Sequence, residues 1–112
     1  MMIKGIGIDM VDIRRLDINH RKFTEKVLTN NELSIFDNFQ SEKLKLEFLA
    51  GRFAGKEAYL KANQKGLGEI PFHAIEILNH ENGAPYLNDD EALISISHEK
   101  EYAIAIVILQ NK

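Results

Sequence analysis

The chain has 112 residues, 45% hydrophobic and 28% charged, with a formal net charge of −3. That size and balance fit one globular domain, and the weak acidity argues against a protein whose main task is neutralising nucleic-acid phosphates. Cysteine is absent, which excludes disulfide scaffolding, thiolate metal sites and thiol nucleophiles. No apolar run reaches the about 18 residues that span a bilayer, and no signal peptide stands at the start, so the expectation is a soluble, cytoplasmic protein with no membrane and no nucleic acid among its partners. A domain this small buries only a modest share of its surface, which favours association with further copies.

Met2 to Asp9 alternates apolar with small residues and predicts a strand, in which Gly5 and Gly7 imply close approach of another backbone or a ligand. Asp12 to Lys22 is polar and carries Arg14, Arg15, His20, Arg21 and Lys22, a basic surface segment that leads into Phe23, Val27 and Leu28 at helical spacing. Thr29-Asn30-Asn31-Glu32 has the form of a capping box, so a second helix begins there. Ser41 is the next candidate N-cap, and the unbroken stretch from Glu42 to about Asn63 predicts the longest helix.

In that helix Leu46, Leu49, Ala50, Phe53 and Leu60 share one apolar face, with Glu57 in its middle. Gly51, Gly55, Ala58 and Ala62 form a strip of small residues where a neighbour can come close, and Arg52, Lys56, Tyr59 and Asn63 line another side. Gly66-Leu67-Gly68 should end the helical region, and Phe72 to Leu78 alternates like a strand. His80 to Pro85 holds the hairpin pair Asn82-Gly83, after which Ala92 to His98 and Tyr102 to Leu109 predict two further strands. The order describes an α+β single domain over residues 1–112, with an N-terminal strand, a long central helix and antiparallel C-terminal strands.

Two carboxylates stand out because their neighbours are apolar or small. Asp9 ends the first strand and Glu57 interrupts a helix face; a carboxylate removed from water needs a cation or hydrogen bonds, and two such groups suggest one shared cation. Each has a plainer reading, Asp9 as a strand-end acceptor of backbone N–H bonds and Glu57 as the partner of Lys61 in a helical ion pair. Arg52 and Lys56, one turn apart, are either snorkelling side chains on a solvated edge or a grip on phosphates. His98, after Ser95-Ile96-Ser97, is either a hydrogen-bonded strand-end histidine or a functional group. The basic segment from Arg14 to Lys22 is either a solvated face or a docking patch for an acidic partner.

Together these motifs closely resemble the holo-acyl-carrier-protein synthases, the small class of 4′-phosphopantetheinyl transferases. The resembling stretches are Gly5-Ile6-Gly7-Ile8-Asp9, the helix segment from Phe48 to Ala58, Lys61-Ala62 running into Gly66-Leu67-Gly68, Asn82-Gly83-Ala84-Pro85, and Ser95-Ile96-Ser97-His98. The resemblance implies transfer of the 4′-phosphopantetheine arm of coenzyme A to a serine of apo-acyl carrier protein, in fatty acid biosynthesis. It implies Mg²⁺ held by Asp9 and Glu57, with Glu57 also activating the serine and Lys61 steadying the transferred or leaving phosphate. Arg52, Lys56 and His98 are implied phosphate contacts, and Ser97 with the turn at Gly66 would shape the nucleotide pocket. Arg15, with Arg21, Lys22 and Phe23, matches the region where family members dock their acidic carrier, although Arg14 fits the pattern as well as Arg15. A homotrimer with sites between subunits is implied too.

Two departures from the family pattern concern glycine. Gly55 stands where alanine is more usual, and Lys61-Ala62-Asn63-Gln64-Lys65 lacks a glycine ahead of the Gly66-Leu67-Gly68 turn. The competing expectations from other classes are a non-catalytic oligomeric module that binds an acidic protein, and a Mg²⁺-dependent phosphohydrolase that uses water as acceptor.

Overall fold

The structure, a computed structural model, describes residues 2–64 and 69–111. The elements run β1 (Met2–Asp12), a 3₁₀ turn (Ile13–Arg15), α1 (Arg21–Val27), α2 (Asn30–Asn38), α3 (Glu42–Ala62), a second 3₁₀ turn (Phe72–Ala74), β2 (Ile77–Asn79), β3 (Pro85–Leu87), β4 (Ala92–His98) and β5 (Tyr102–Asn111). Strands β1, β5 and β4, in that order, form an antiparallel sheet, and β2 pairs with β3 as a separate hairpin.

Local chemistry starts the helices where the sequence says. The Thr29 hydroxyl accepts from the Glu32 backbone N–H while the Glu32 carboxylate accepts from the Thr29 N–H, completing the capping box of α2. Ser41 caps α3 by accepting from the Leu44 N–H at 3.1 Å. At the other end of α3, Gln64 takes a left-handed φ of +58°. Most L-residues avoid that region, so the glycine missing from this stretch would have been the unstrained choice.

The sheet face toward α3 is built from small and apolar residues. Strand pairing sets Gly5 opposite Leu109, Gly7 opposite Val107, Asp9 opposite Ala105 and Val11 opposite Ala103. A Cβ on Gly7 would lie 2.0 Å from the Ala58 carbonyl oxygen, and one on Gly5 2.1 Å from that of Ala62. The close approach expected at these glycines is therefore the backbone of α3. Gly55 has its own tertiary reason, since a Cβ there would meet Ile77 Cδ1 at 2.6 Å and Ile94 Cδ1 at 3.1 Å.

A second apolar cluster, Val27, Leu28, Phe36, Phe48 and Leu49, fixes α1 and α2 on the first half of α3. Helix α3 is thus enclosed by the sheet on one side and the short helices on another. The opposite face of the sheet is uncovered and apolar. Ile6 is 63% exposed, Ile8 54%, Met10 62% and Leu93 54%.

Phe72 to Leu78 is not one strand, contrary to its alternation. Pro71, with no N–H, precedes a 3₁₀ turn in which the Ala74 N–H reaches the Pro71 carbonyl at 2.9 Å, and β2 begins only at Ile77. Ile75 and Ile77 still alternate inward and are fully buried. The Asn82-Gly83 pair makes the β2–β3 turn, with Gly83 at φ +91°.

Candidate active site

Strand alternation puts Asp9 on the same face of β1 as Gly5 and Gly7, so its carboxylate leans over α3 just past the point of backbone contact. Lys61 reaches it from the last turn of α3: Nζ donates to Asp9 Oδ1 at 3.0 Å and to the Ile8 carbonyl at 3.0 Å. Glu57 lies one turn earlier on the same helix face and is half-buried. Burial pushes its carboxyl pKa above the ordinary range, the Asp9 charge adds to that push, and the Lys61 ammonium opposes it. The ion pair of Glu57 with Lys61 suggested by their spacing is not what forms; the ammonium goes to Asp9 instead.

Two neighbouring carboxylates beside one ammonium, which pairs with Asp9, leave a net negative site, and the pKa of Glu57 is raised first by burial and then by the Asp9 charge. Those donors fit a hard divalent cation. No third His, Asp or Glu joins them among the described residues, so Mg²⁺ held by Asp9 and Glu57 would complete its about six oxygen ligands with water and substrate phosphate.

A pocket of about 540 Å³ opens beside Glu57, lined by Phe23 and Lys26 of α1, Phe53 of α3, and the segment from Ile70 to His73. Phe53 stands edge-on to both Phe23 and Phe72, with ring centroids 5.4 and 5.8 Å away. Of these aromatics, sequence reading assigns a site role to Phe23 alone, taking Phe53 as part of an apolar helix face and Phe72 as the start of a strand. The three rings sit far apart in the chain, and no local period connects them.

The basic segment leads into Phe23 along the chain. Arg14 is committed to Asp12, with Nε–Oδ1 at 2.9 Å, and to Glu101 at 2.8 Å. Arg21 holds Asp37 at 2.7 Å and Glu25 at 2.9 Å. Arg15 and Lys22 are exposed, and of the adjacent arginines it is Arg14 that forms ion pairs among the described residues.

Lys56 requires a correction. It is neither on a solvated edge nor within reach of a phosphate: its side chain has no exposure, and Nζ donates to Glu32 Oε1 at 2.6 Å, to the Val27 carbonyl at 2.6 Å and to the Phe72 carbonyl at 3.1 Å. Arg52 also turns inward, against the snorkelling expectation. Only 6% exposed, it stacks over Phe48 at 4.1 Å and donates to the Ile77 carbonyl and Asn79 Oδ1. Burial lowers its pKa to about 10, with Glu32 opposing, so the guanidinium stays charged at neutral pH.

Ser97 and His98 lie away from the carboxylates. Ser97 pairs with Ile104 on the uncovered sheet face, and His98 Nδ1 lies 3.6 Å from Glu47 Oε2. Glu47 precedes Glu57 by ten residues of helix, roughly 15 Å along the axis. Within one chain, then, Asp9, Glu57 and Lys61 are brought together while Ser97 and His98 are not. Gly66 lies outside the described residues.

The constellation sits on an α+β frame whose residues 5–107 match the 4′-phosphopantetheinyl transferase superfamily. The chain belongs to that superfamily. Its relatives include the holo-[acyl-carrier-protein] synthases of Anoxybacillus flavithermus, 48% identical over 97% of this chain and 97% of that protein, and of Oceanobacillus iheyensis, 40% identical over 99% of each. A holo-(acyl-carrier-protein) synthase from Bacillus anthracis, solved in complex with CoA (3′,5′-ADP), superposes with a TM-score of 0.91 at 42% identity, covering 100% of both chains. The expected family and the α+β fold both hold.

Proposed function

We propose that this protein transfers the 4′-phosphopantetheine group of coenzyme A to a serine hydroxyl of apo-acyl carrier protein. The observation that carries the proposal is the Asp9–Glu57–Lys61 cluster, whose Glu57 also lines an aromatic pocket with Phe23 of the helix that follows the basic segment. Close relatives bear the name of that activity, and a structural neighbour was solved with its nucleotide.

In the reaction the serine oxygen forms a bond to the pantetheine-bearing phosphorus, and the bond from that phosphorus to the departing adenosine 3′,5′-bisphosphate breaks. Glu57, whose raised pKa makes it a better base than a free carboxylate, takes the serine proton directly or through water. Lys61, exposed except for its tie to Asp9, turns its charge toward the leaving phosphate. Mg²⁺ bound by Asp9 and Glu57 would supply neutralisation of phosphate charge. Positioning by the chain's own side chains does most of the rest, as phosphoryl transfer requires.

Arg15, Lys22 and Arg21 favour encounter with an acidic carrier, and Phe23 at the pocket mouth offers an apolar seat beside Glu57. The uncovered face of β1, with Ile6, Ile8 and Met10, supports assembly into a homotrimer. Association through that face would let a neighbouring subunit bring Ser97 and His98 toward the carboxylates, from which they lie apart within their own chain. We place the reaction in the cytoplasm, in service of fatty acid biosynthesis. No helix among the described residues is long and apolar enough to cross a membrane.

Intact-protein mass spectrometry of an apo-acyl carrier protein incubated with coenzyme A and this protein tests the proposal. A Mg²⁺-dependent gain of one phosphopantetheine is expected. Free phosphopantetheine with an unmodified carrier would make the protein a hydrolase, and no reaction with several carriers would leave a binding module.

A further inference from the structure

Lys56 is adjacent to Glu57 in α3 yet points into the interior, and the three acceptors of its ammonium come from three separate segments. They are the Val27 carbonyl at the end of α1, Glu32 in the first turn of α2, and the Phe72 carbonyl in the turn that walls the pocket. An ammonium has three N–H donors, so none remains for a ligand. Glu32 extends the connection, its Oε2 accepting from the Ile77 N–H of β2 at 2.8 Å and its Oε1 from the Thr29 N–H at 2.8 Å. Thr29 in turn donates to Glu76 at 2.5 Å.

Helix α1 needs such an anchor. It has seven residues and no side-chain N-cap bond from His20, and a helix that short does not hold its shape or place without tertiary support. The segments that Lys56 ties down, α1 and the turn at Phe72, are those that carry Lys22, Phe23 and the pocket wall. Asp9, by contrast, comes from β1 on another side of α3 and has no bond to this network among the described residues.

We infer that Lys56 is a positioning residue, which braces the docking helix and the pocket wall against α3 so that the carrier is presented to Glu57 in one geometry. The inference rests on the carrier-transferase reading given above. Its kinetic signature is a weakened grip on the carrier with coenzyme A binding intact. A phosphate-contact role would produce the reverse.

The test uses the full chain with Lys56→Met, and with Lys56→Met/Glu32→Gln so that the Glu32 carboxylate is not left buried without its ammonium. KM values for carrier and for coenzyme A are measured separately, and backbone hydrogen exchange is followed alongside. Expected are a carrier KM raised about tenfold, a coenzyme A KM within about twofold of the original, and faster exchange at Thr24, Leu28 and Ile75 than in the unaltered protein. An unchanged carrier KM, or an increase in both KM values together, overturns the inference. Should neither variant fold, exchange in the unaltered protein decides: Leu28 and Ile75 as slow as Leu49 and Ala54 of α3 supports the brace, and exchange more than about a hundredfold faster overturns it. If the unaltered protein transfers nothing, the functional reading falls by itself. The brace is then judged on exchange in Lys56→Met alone, where acceleration at Thr24 and Leu28 supports it and no change overturns it.

Discussion

Lys61 Nζ sits 3.0 Å from Asp9 Oδ1, so the last turn of α3 is tied to β1 by two of the groups to which the proposed mechanism gives a role. The pairing leaves Glu57, one turn back, as the carboxylate whose charge is least compensated. Removing Asp9 and removing Glu57 should therefore have different consequences.

Asp9→Asn should fold. The Lys61 side chain is 55% exposed, and a bridge that open contributes about 0–1 kcal/mol. Mg²⁺-dependent turnover should nonetheless fall by about two orders of magnitude, because on the proposed mechanism Asp9 is a metal ligand. Circular dichroism with a magnesium titration of activity checks both halves; a variant that unfolds would return Asp9 to a structural role.

Glu57 ties stability to pH. Its carboxyl pKa is raised above the ordinary 4.5, so the native state holds the proton more tightly than the unfolded chain does, and the folded form loses stability as pH rises from that value through the raised one. Glu57→Gln removes the penalty. In chelator, the variant should melt above the original protein at pH 7 and show a smaller difference near pH 4, while added Mg²⁺ should raise the Tm of the original only. A Tm difference independent of pH would contradict the burial of charge at this site.

Arg15→Glu should raise the carrier KM about tenfold and leave that for coenzyme A nearly unchanged, with the effect shrinking as salt is added. Arg14→Gln provides the contrast. Arg14 already spends its guanidinium on Asp12 and Glu101, so its loss should register in the β1–β5 region more than in carrier binding. Steady-state kinetics at two ionic strengths separates them; an unchanged carrier KM for Arg15→Glu would reject the docking role.

Gly7→Ala should destabilise the protein by about 3 kcal/mol. The new Cβ would fall 2.0 Å from the Ala58 carbonyl oxygen and 2.6 Å from the Ala62 nitrogen, and both are backbone atoms that cannot rotate away. Because relief requires α3 to move off β1, the Asp9–Lys61 contact should loosen as well. Urea denaturation measures the loss, and a wild-type midpoint would show that the sheet can yield.

The uncovered face of β1 supplies the last test. Ile8→Asp, 54% exposed in the single chain, should leave the fold intact and shift the sedimenting species toward monomer. Activity should fall with it if Ser97 and His98 act across a subunit boundary. A monomeric original protein would remove the trimer.

The sequence by itself determined what depends on neighbours in the chain. Capping at Thr29 and Ser41, the uninterrupted run of α3, the Asn82-Gly83 turn and the alternation of β1, β4 and β5 are all local, with physics confined to a few successive residues. It also singled out Asp9 and Glu57, since a carboxylate amid glycines, alanines and apolar residues stands out before any coordinates exist. Tertiary structure decided which partner each charge takes. Lys61 lies four residues from Glu57 but binds Asp9 on the strand packed against its helix, and Lys56, whose helical position suggests solvent, is drawn into the interior because Glu32, Val27 and Phe72 converge there. Long side chains answer to whatever the fold brings within about 3 Å, and that distance is set by packing between segments far apart in sequence. The pocket of Phe23, Phe53 and Phe72 exists for the same reason.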